Sequence, residues 1–233
     1  MQKTKILWSG IKGRTGVQAL NAATNSKYSE IVAGISRNDN KYYNYSQLDE
    51  ISQKFDVIVD FSHKDSFDTI LAFALKENKP LISGTSDITE EQLTKLEEAS
   101  KIIPIFRGGN FRFAVEEFIN AVVEFAKEND NIKIVETHYK TKKIPSETAK
   151  VIAKRVFEKT GKIVEIESHL EYDDLINDWR VGHLHCRVEG FEQLGKDVLQ
   201  IADMMSNQKP DGLYDLNRLL NKDKDNIVKE NSI

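Results

Sequence analysis

A short apolar run, Ile6-Leu7-Trp8, passes directly into Ser9-Gly10-Ile11-Lys12-Gly13-Arg14-Thr15-Gly16, and a helix-compatible stretch from Val17 to Ala23 follows. A strand that feeds a glycine-spaced turn and then a helix is how a dinucleotide-binding unit opens. Gly10 permits the tight reversal, Gly13 lets backbone N–H groups approach a pyrophosphate, and Gly16 allows close helix–strand packing. The helix adds unpaired N–H groups and a partial positive charge at its start. Lys12, Arg14 and Thr15 lie in the same turn and join the candidate cofactor-binding residues. The spacing is G-x-x-G-x-x-G rather than the commoner G-x-G-x-x-G. A tight strand-to-helix connection with no ligand would use the same residues.

The next apolar run, Glu30-Ile31-Val32-Ala33-Gly34-Ile35, reads as the second strand of a βαβ unit. A site for NAD usually carries an acidic residue at the end of this strand, bonded to the ribose 2′-hydroxyl. Here Ser36-Arg37 stands in that place. Serine does not repel a 2′-phosphate and arginine holds one through a charge-assisted fork, so the pattern points to NADPH and leaves NADH open. Arg14 is expected as a second cation at the same corner. The alternative for Arg37 is a solvated loop charge.

Composition narrows the partners. The chain has 233 residues, 30% of them charged, and a formal net charge of −4, so no basic excess favours nucleic acid. No apolar run approaches the roughly 18 residues of a membrane span, and polar and glycine residues interrupt the first ten positions, unlike a signal peptide. The single cysteine, Cys186, excludes an internal disulfide and suits a reducing cytoplasm. No metal site is expected: on a strand, His183 and His185 would share one face and Cys186 would take the other.

The first half of the chain alternates. Phe55 to Phe61 reads as a buried strand, Ser66 to Glu77 as a helix and Pro80 to Ser83 as a strand; Thr89 opens a capped helix, and Ile102 to Phe106 closes the series. This predicts an α/β fold with a Rossmann-type, doubly wound parallel sheet, whose ligands bind beyond the carboxyl ends of the strands. The strand-end segments are Asp60-Phe61-Ser62-His63, Ser83-Gly84-Thr85-Ser86 and Gly108-Gly109-Asn110-Phe111. Their small residues let backbone approach a flat ring, although ordinary loops use the same residue types.

The second half changes character. Phe113 to Ala126 is an amphipathic helix, and Asn131 to His138 an alternating strand. A cationic loop, Tyr139-Lys140-Thr141-Lys142-Lys143-Ile144-Pro145, then meets a helix that starts at Pro145 or Ser146 and continues to about Glu158. Lysines beside a helix N-terminus, with Ser146 and Thr148 as donors, make a ready anion site; a solvated basic turn is the alternative. Phe191 to Met205 reads as a helix that packs on a core. Asp211 to Asp215 turns into a short helix ending near Leu220, and the tail from Asn221 to Ile233 reads as frayed.

Taken together, Gly10-x-x-Gly13-Arg14-Thr15-Gly16, Asp60-Phe61-Ser62, Gly84-Thr85-Ser86, Asn110-Phe111, His138-Tyr139-Lys140-Thr141-Lys142 and Pro145-Ser146-Glu147-Thr148-Ala149 resemble, in order, the motifs of the dihydrodipicolinate reductase family of the diaminopimelate/lysine pathway. The resemblance covers roughly residues 1 to 160. It implies a dinucleotide domain over 1–111, an α+β substrate and oligomerisation domain with a mixed sheet over 112–190, and a C-terminal return to the first domain over 191–233. It implies a cytoplasmic homo-oligomer, tetramer or dimer, that binds NADPH or NADH and a small anionic substrate. It further implies that Lys142 donates a proton as the nicotinamide delivers hydride, and that His138 stabilises or protonates the intermediate. Tyr139, Ser146, Glu147 and Thr148 fall in the substrate-binding stretch, Phe61, Ser62, Gly84 and Thr85 near the cofactor, and Asn110 and Phe111 among the cofactor-binding residues, in a hinge region.

The departures from the family pattern are specific. Glu147 replaces a glycine whose backbone approaches the substrate carboxylate, and a second carboxylate there repels unless it turns outward. The loop from Lys142 to Pro145 is one residue shorter and lacks an aspartate. Val181-Gly182-His183-Leu184-His185 corresponds to a family strand, with Arg187 as a candidate substrate-binding arginine. A reductase of another anionic imine or carbonyl compound, and a catalytically silent nucleotide-binding protein, are the competing readings. Retention of both His138 and Lys142 speaks against the silent one.

Overall fold

The apolar run that opens the chain becomes β1 (Thr4–Ser9), in which Ile6, Leu7 and Trp8 have no exposed surface. A strand that is apolar on both faces requires a central position in a parallel sheet. In the computed structural model, which describes residues 2–207 and 209–221, β1 occupies such a position. It lies between β2 (Ser29–Ile35) and β3 (Val57–Asp60), and the sheet continues through β4 (Leu81–Ser83), β5 (Pro104–Phe106) and β10 (Gly212–Tyr214). Every pairing in this six-stranded sheet is parallel. The order β2-β1-β3-β4-β5-β10 reverses between β1 and β3, which makes that point the ligand crevice of a doubly wound sheet.

The connecting helices are α1 (Arg14–Thr24), α2 (Lys64–Glu77) and α3 (Glu90–Ala99). His63 caps α2 by accepting from the Asp65 N–H, so this helix starts before the predicted Ser66. Thr89 and Gln92 close a reciprocal capping box on α3, with side-chain contacts of 3.2 and 3.1 Å to each other's backbone N–H. Leu7, Ile58, Phe67, Ile70, Leu81, Leu96 and Ile105 share one core on a face of the sheet. Fully burying such side chains contributes about 1.5–3 kcal/mol each.

The chain divides into two compact units, Met1–Gly108 with Phe191–Ile233, and Gly109–Gly190. In the first, α6 (Glu192–Ser206) packs on α1 so closely that a Cβ at Gly195 would lie 2.7 Å from the Gln18 carbonyl carbon. Strand β10 then pairs with β5. The sequence reads residues 211–215 as a turn, but Leu213 and Tyr214 find open edge partners in Ile105 and Phe106. The tail predicted to fray lies, beyond Asn221, outside the described residues.

The second unit holds α4 (Phe113–Glu128), β6 (Lys133–Tyr139), α5 (Glu147–Thr160), β7 (Glu165–Tyr172), β8 (Ile176–Val181) and β9 (Leu184–Glu189). Its mixed four-stranded sheet has the order β7-β6-β8-β9, with β6 and β7 parallel and the other pairs antiparallel. Alternation along β6 turns Ile134, Glu136 and His138 inward. Phe118, Ile119 and Val122 of α4 and Ile152 and Val156 of α5 share their core with Ile134, Trp179 and Val181. A buried Glu116–Arg155 ion pair joins the two helices. The expected strand through His183 is corrected: Gly182 adopts φ +56, residues 182 and 183 form the β8–β9 turn, and the His183 ring meets the edge of Phe125. Among the described residues, no helix is long and apolar enough to cross a membrane.

Candidate functional site

In the first unit, the loops that leave β1, β2 and β3 converge at the point of strand-order reversal. Gly10, Lys12, Gly13, Ser36, Arg37, Phe61 and Ser62 line a cleft of about 270 Å³ together with Tyr45 and His63. Gly10 sits at φ +77, and a Cβ there would approach the Phe61 carbonyl oxygen to 2.3 Å. Glycine is therefore required by contact between two backbone turns as well as by the dihedral angle. Gly16 is also closed upon, with the Ile11 carbonyl oxygen 2.5 Å from the Cβ position. Helix α1 begins at N-cap Gly13 without a side-chain cap, so its first N–H groups open toward the turn.

The cations of this cleft are individually held. Arg37 donates through Nε and Nη2 to Ser66 Oγ at 3.2 and 2.7 Å, and its guanidinium lies 5.9 Å from the centre of the Tyr45 ring. Lys12 pairs with Asp39 at 3.2 Å. A backbone hydrogen bond from Lys41 and the contact with Lys12 hold the Asp39 carboxyl below the ordinary carboxylate value. Arg14 departs from expectation: its guanidinium stacks 5.0 Å above the Phe191 ring and does not line the cleft. The apolar ring offered by the start of α6 draws it there.

Beneath the strand tips lies a polar knot. Thr85 donates to the fully buried Asp60 at 2.7 Å and accepts from the Ser62 N–H at 3.2 Å. Burial pushes the Asp60 carboxyl up, against the hydrogen bonds of Ser62, Thr85 and Ser9. Arg107 donates to Ser83 Oγ and to the Thr85 carbonyl, both at 3.1 Å. Gly84 leaves room for the Phe61 ring, which a Cβ would meet at 2.4 Å. The Thr85 hydroxyl therefore faces inward and shapes the loop. Asn110 and Phe111 fall in the second unit, where Asn110 bonds the Arg112 backbone through both side-chain atoms.

The second unit centres on a carboxylate that sequence reasoning missed. Glu136 is fully buried and accepts from His138 Nε2 (2.8 Å), Ser146 N–H (2.9 Å), Ser146 Oγ (2.5 Å) and Ser168 Oγ (2.6 Å). Burial pushes its carboxyl up, but these donors outweigh burial and hold it down at about 2. His138 is 0% exposed, its ring edge-on to Trp179 at 5.3 Å, and its Nδ1 has no hydrogen-bond partner. Ser146 caps α5 through the Ala149 N–H and also accepts from Trp179 Nε1 at 3.1 Å. Its hydroxyl is thus engaged inward, away from the anion-binding role expected of it. The legible signal was period: Glu136 shares the inward face of β6 with Ile134 and His138, where a solvated glutamate does not belong.

Half-buried Lys142 has its Nζ 5.8 Å from the centre of the Tyr139 ring, and its N–H closes a turn onto the Tyr139 carbonyl. Thr148 is buried in the first turn of α5. Arg187 pairs with Glu189 at 2.9 Å and lies 5.3 Å from the centre of the Tyr172 ring.

These arrangements can be set against known proteins. A family model described as dihydrodipicolinate reductase, N-terminus, matches residues 4–111. The 4-hydroxy-tetrahydrodipicolinate reductase of Caldanaerobacter subterraneus is 36% identical over 154 residues, covering 64% of this chain and 61% of that protein. The protein of the same name from Pseudoalteromonas translucida is 31% identical over 180 residues, covering 69% of this chain and 67% of its own length. The chain belongs to the 4-hydroxy-tetrahydrodipicolinate reductase family. It spans less than two thirds of the length of several of these reductases, 61% and 64% for those of C. subterraneus and Clostridium novyi. A dipicolinate-bound dihydrodipicolinate reductase from Paenisporosarcina sp. TG-14 has the same fold, with a TM-score of 0.73 at 16% identity over 92% of this chain and 98% of that one.

Family membership makes Glu147 the departure to explain. The side chain is 67% exposed and its carboxylate pairs with Lys150 at 2.7 Å. It turns outward, so the added charge stays in solvent while the first turn of α5 keeps its geometry.

Proposed function

We propose that this chain is a nicotinamide-dependent reductase of 4-hydroxy-tetrahydrodipicolinate, with NADPH as the preferred cofactor. The observation that carries the reading is the cleft at the β1/β3 reversal, where an uncapped helix start and the Ser66-held guanidinium of Arg37 flank the glycine turn. These groups fit a dinucleotide: Gly10 and Gly13 admit the pyrophosphate, the N–H groups of α1 face it, and Arg37 meets a 2′-phosphate. When bound, the reduced nicotinamide supplies a hydride.

The second unit supplies the proton chemistry. Lys142 is the proton donor, and the aromatic face of Tyr139 orients its amine. His138, tied to Glu136, is the second group of this proton chemistry. Thr148 and the start of α5 attract the substrate carboxylates. With Glu147 turned outward, the repulsion that favoured a different anionic substrate is absent. The mixed sheet presents Lys133, Glu167, His169, Arg180 and His185 on the face opposite its core, a surface suited to pairing with further copies of the chain.

The test is loss of reduced-nicotinamide absorbance with the substrate generated in situ by its synthase. Turnover of roughly 1–10³ per second is expected. Tight NADPH binding without turnover would reject the substrate while sparing the cofactor assignment.

A further inference from the structure

The hydrogen bonds around Glu136 determine where the protons lie. Ser146 Oγ accepts from two N–H groups, those of Ala149 at 3.2 Å and Trp179 at 3.1 Å. Both lone pairs are then occupied, and the hydroxyl proton must be donated. Glu136 Oε2 receives it at 2.5 Å. The other oxygen, Oε1, accepts from the Ser146 N–H, which cannot reverse, and from Ser168 Oγ. A carboxylate so surrounded has acceptor capacity only. The remaining contact, 2.8 Å to His138 Nε2, therefore requires the proton to sit on Nε2.

The other ring nitrogen is equally constrained. Nδ1 is buried and meets no protein donor or acceptor. In a neutral ring that is protonated on Nε2, Nδ1 carries the lone pair. We infer that Glu136 is a positioning residue that locks His138 as its Nε2–H tautomer and leaves the lone pair on Nδ1. This rests on the reading of His138 as a participant in the reductase chemistry. Four donors from three segments, β6, the start of α5 and β7, converge on one carboxylate, so the ring is oriented before any ligand arrives.

The two states are distinguishable in solution without turnover. Two-bond proton–nitrogen correlation spectra of the full chain labelled with nitrogen-15 histidine report which ring nitrogen is protonated, and loss of signals in His138→Gln assigns them. In its neutral form, which these spectra distinguish from the imidazolium, the wild-type His138 is expected to show a protonated Nε2 and a bare Nδ1. In Glu136→Gln, the amide oxygen must face the Ser146 N–H, which cannot rotate, so the NH2 group faces Ser146 Oγ and His138; the hydroxyl proton turns away without an acceptor, His138 must present a lone pair on Nε2, and the tautomer inverts. Turnover of that variant is expected to fall roughly 10²- to 10⁴-fold, with substrate KM changed far less than kcat. Ser168→Ala removes one donor from Oε1 and is expected to keep the wild-type tautomer.

A protonated Nδ1 in the wild type overturns the inference. So does a Glu136→Gln protein with wild-type tautomer and turnover, or inversion in Ser168→Ala, which would make the tautomer a product of loosened packing. If Glu136→Gln does not fold, the wild-type spectrum alone decides. Absence of turnover in the wild type would count against the reductase reading, and the tautomer would still be measured.

Discussion

At the scale of single residues, the two cations proposed to act are held in different ways. Arg37 is pre-ordered: two of its N–H donors already rest on Ser66 Oγ, so little side-chain freedom remains to be lost when a phosphate binds. Arg37→Ala is expected to weaken NADPH by about 1–3 kcal/mol and NADH far less. Ser66→Ala should show the same selectivity at smaller size, because it releases the guanidinium without removing it. Titration of both cofactors against both variants checks this, and equal losses for NADH and NADPH would remove Arg37 from 2′-phosphate recognition. Lys142→Ala is expected to lower turnover by roughly 10²–10⁴-fold while leaving the NADPH dissociation constant unchanged. Unchanged turnover in stopped-flow or steady-state assays would assign the proton to another group. Arg37 stood out in the sequence as a cation at the end of β2, where an acidic residue is usual, and Lys142 through its place in the family motif. Glu136 was passed over although its register with Ile134 carried a signal, because one glutamate on that face does not reveal the partners that make it a site. Only its partners, spread over Ser146 and Ser168, turn it into a buried anion.

At the scale of elements, local chemistry set what could be read. The capping box on α3 and the inward stripe of α4 follow from neighbours within one or two turns, and both were visible in the sequence. Strands β7 and β10 were not. The burial of β7 is intermediate along most of its length, and β10 exists because β5 offers an edge. The knot at Glu136 ties β6, β7 and α5 together, and it makes this part of the molecule acid-sensitive. A carboxyl held at about 2, against an ordinary 4.5, contributes stability that is complete above about 4.5 and is lost as the pH falls through about 2. The contribution is on the order of 3 kcal/mol. Trp179 touches Ser146, so in a Trp8→Phe background its fluorescence reports unfolding of this unit alone. Its urea midpoint should fall between about pH 6 and about pH 3 and should fall less in a folded Glu136→Gln variant. A midpoint independent of pH over that interval would show that the donors around Glu136 do not favour its charged form.

At the scale of the whole molecule, the first unit is discontinuous in sequence, since residues 109–190 intervene before α6 and β10 complete it. The contact that closes it is between α1 and α6, and Gly195 lies where the two backbones approach closely. Within a helix, glycine to alanine ordinarily gains up to about 1 kcal/mol of helix propensity. At Gly195 the added Cβ would lie 2.7 Å from the Gln18 carbonyl carbon and 2.8 Å from the Ala19 nitrogen. Backbone cannot rotate away as a side-chain end can, so the helices must separate and the overpacking cost of about 1–3 kcal/mol exceeds the gain. Gly195→Ala is therefore expected to lower the unfolding midpoint. It should also weaken NADPH binding from a position outside the cleft, because the start of α1 carries the N–H groups that face the glycine turn. Thermal unfolding and cofactor titration on the same preparation test both halves. A variant as stable as the wild type would mean that α1 and α6 yield to each other easily. A destabilised variant with wild-type NADPH affinity would mean that the turn is held by its contact with Phe61 and Ser62 alone.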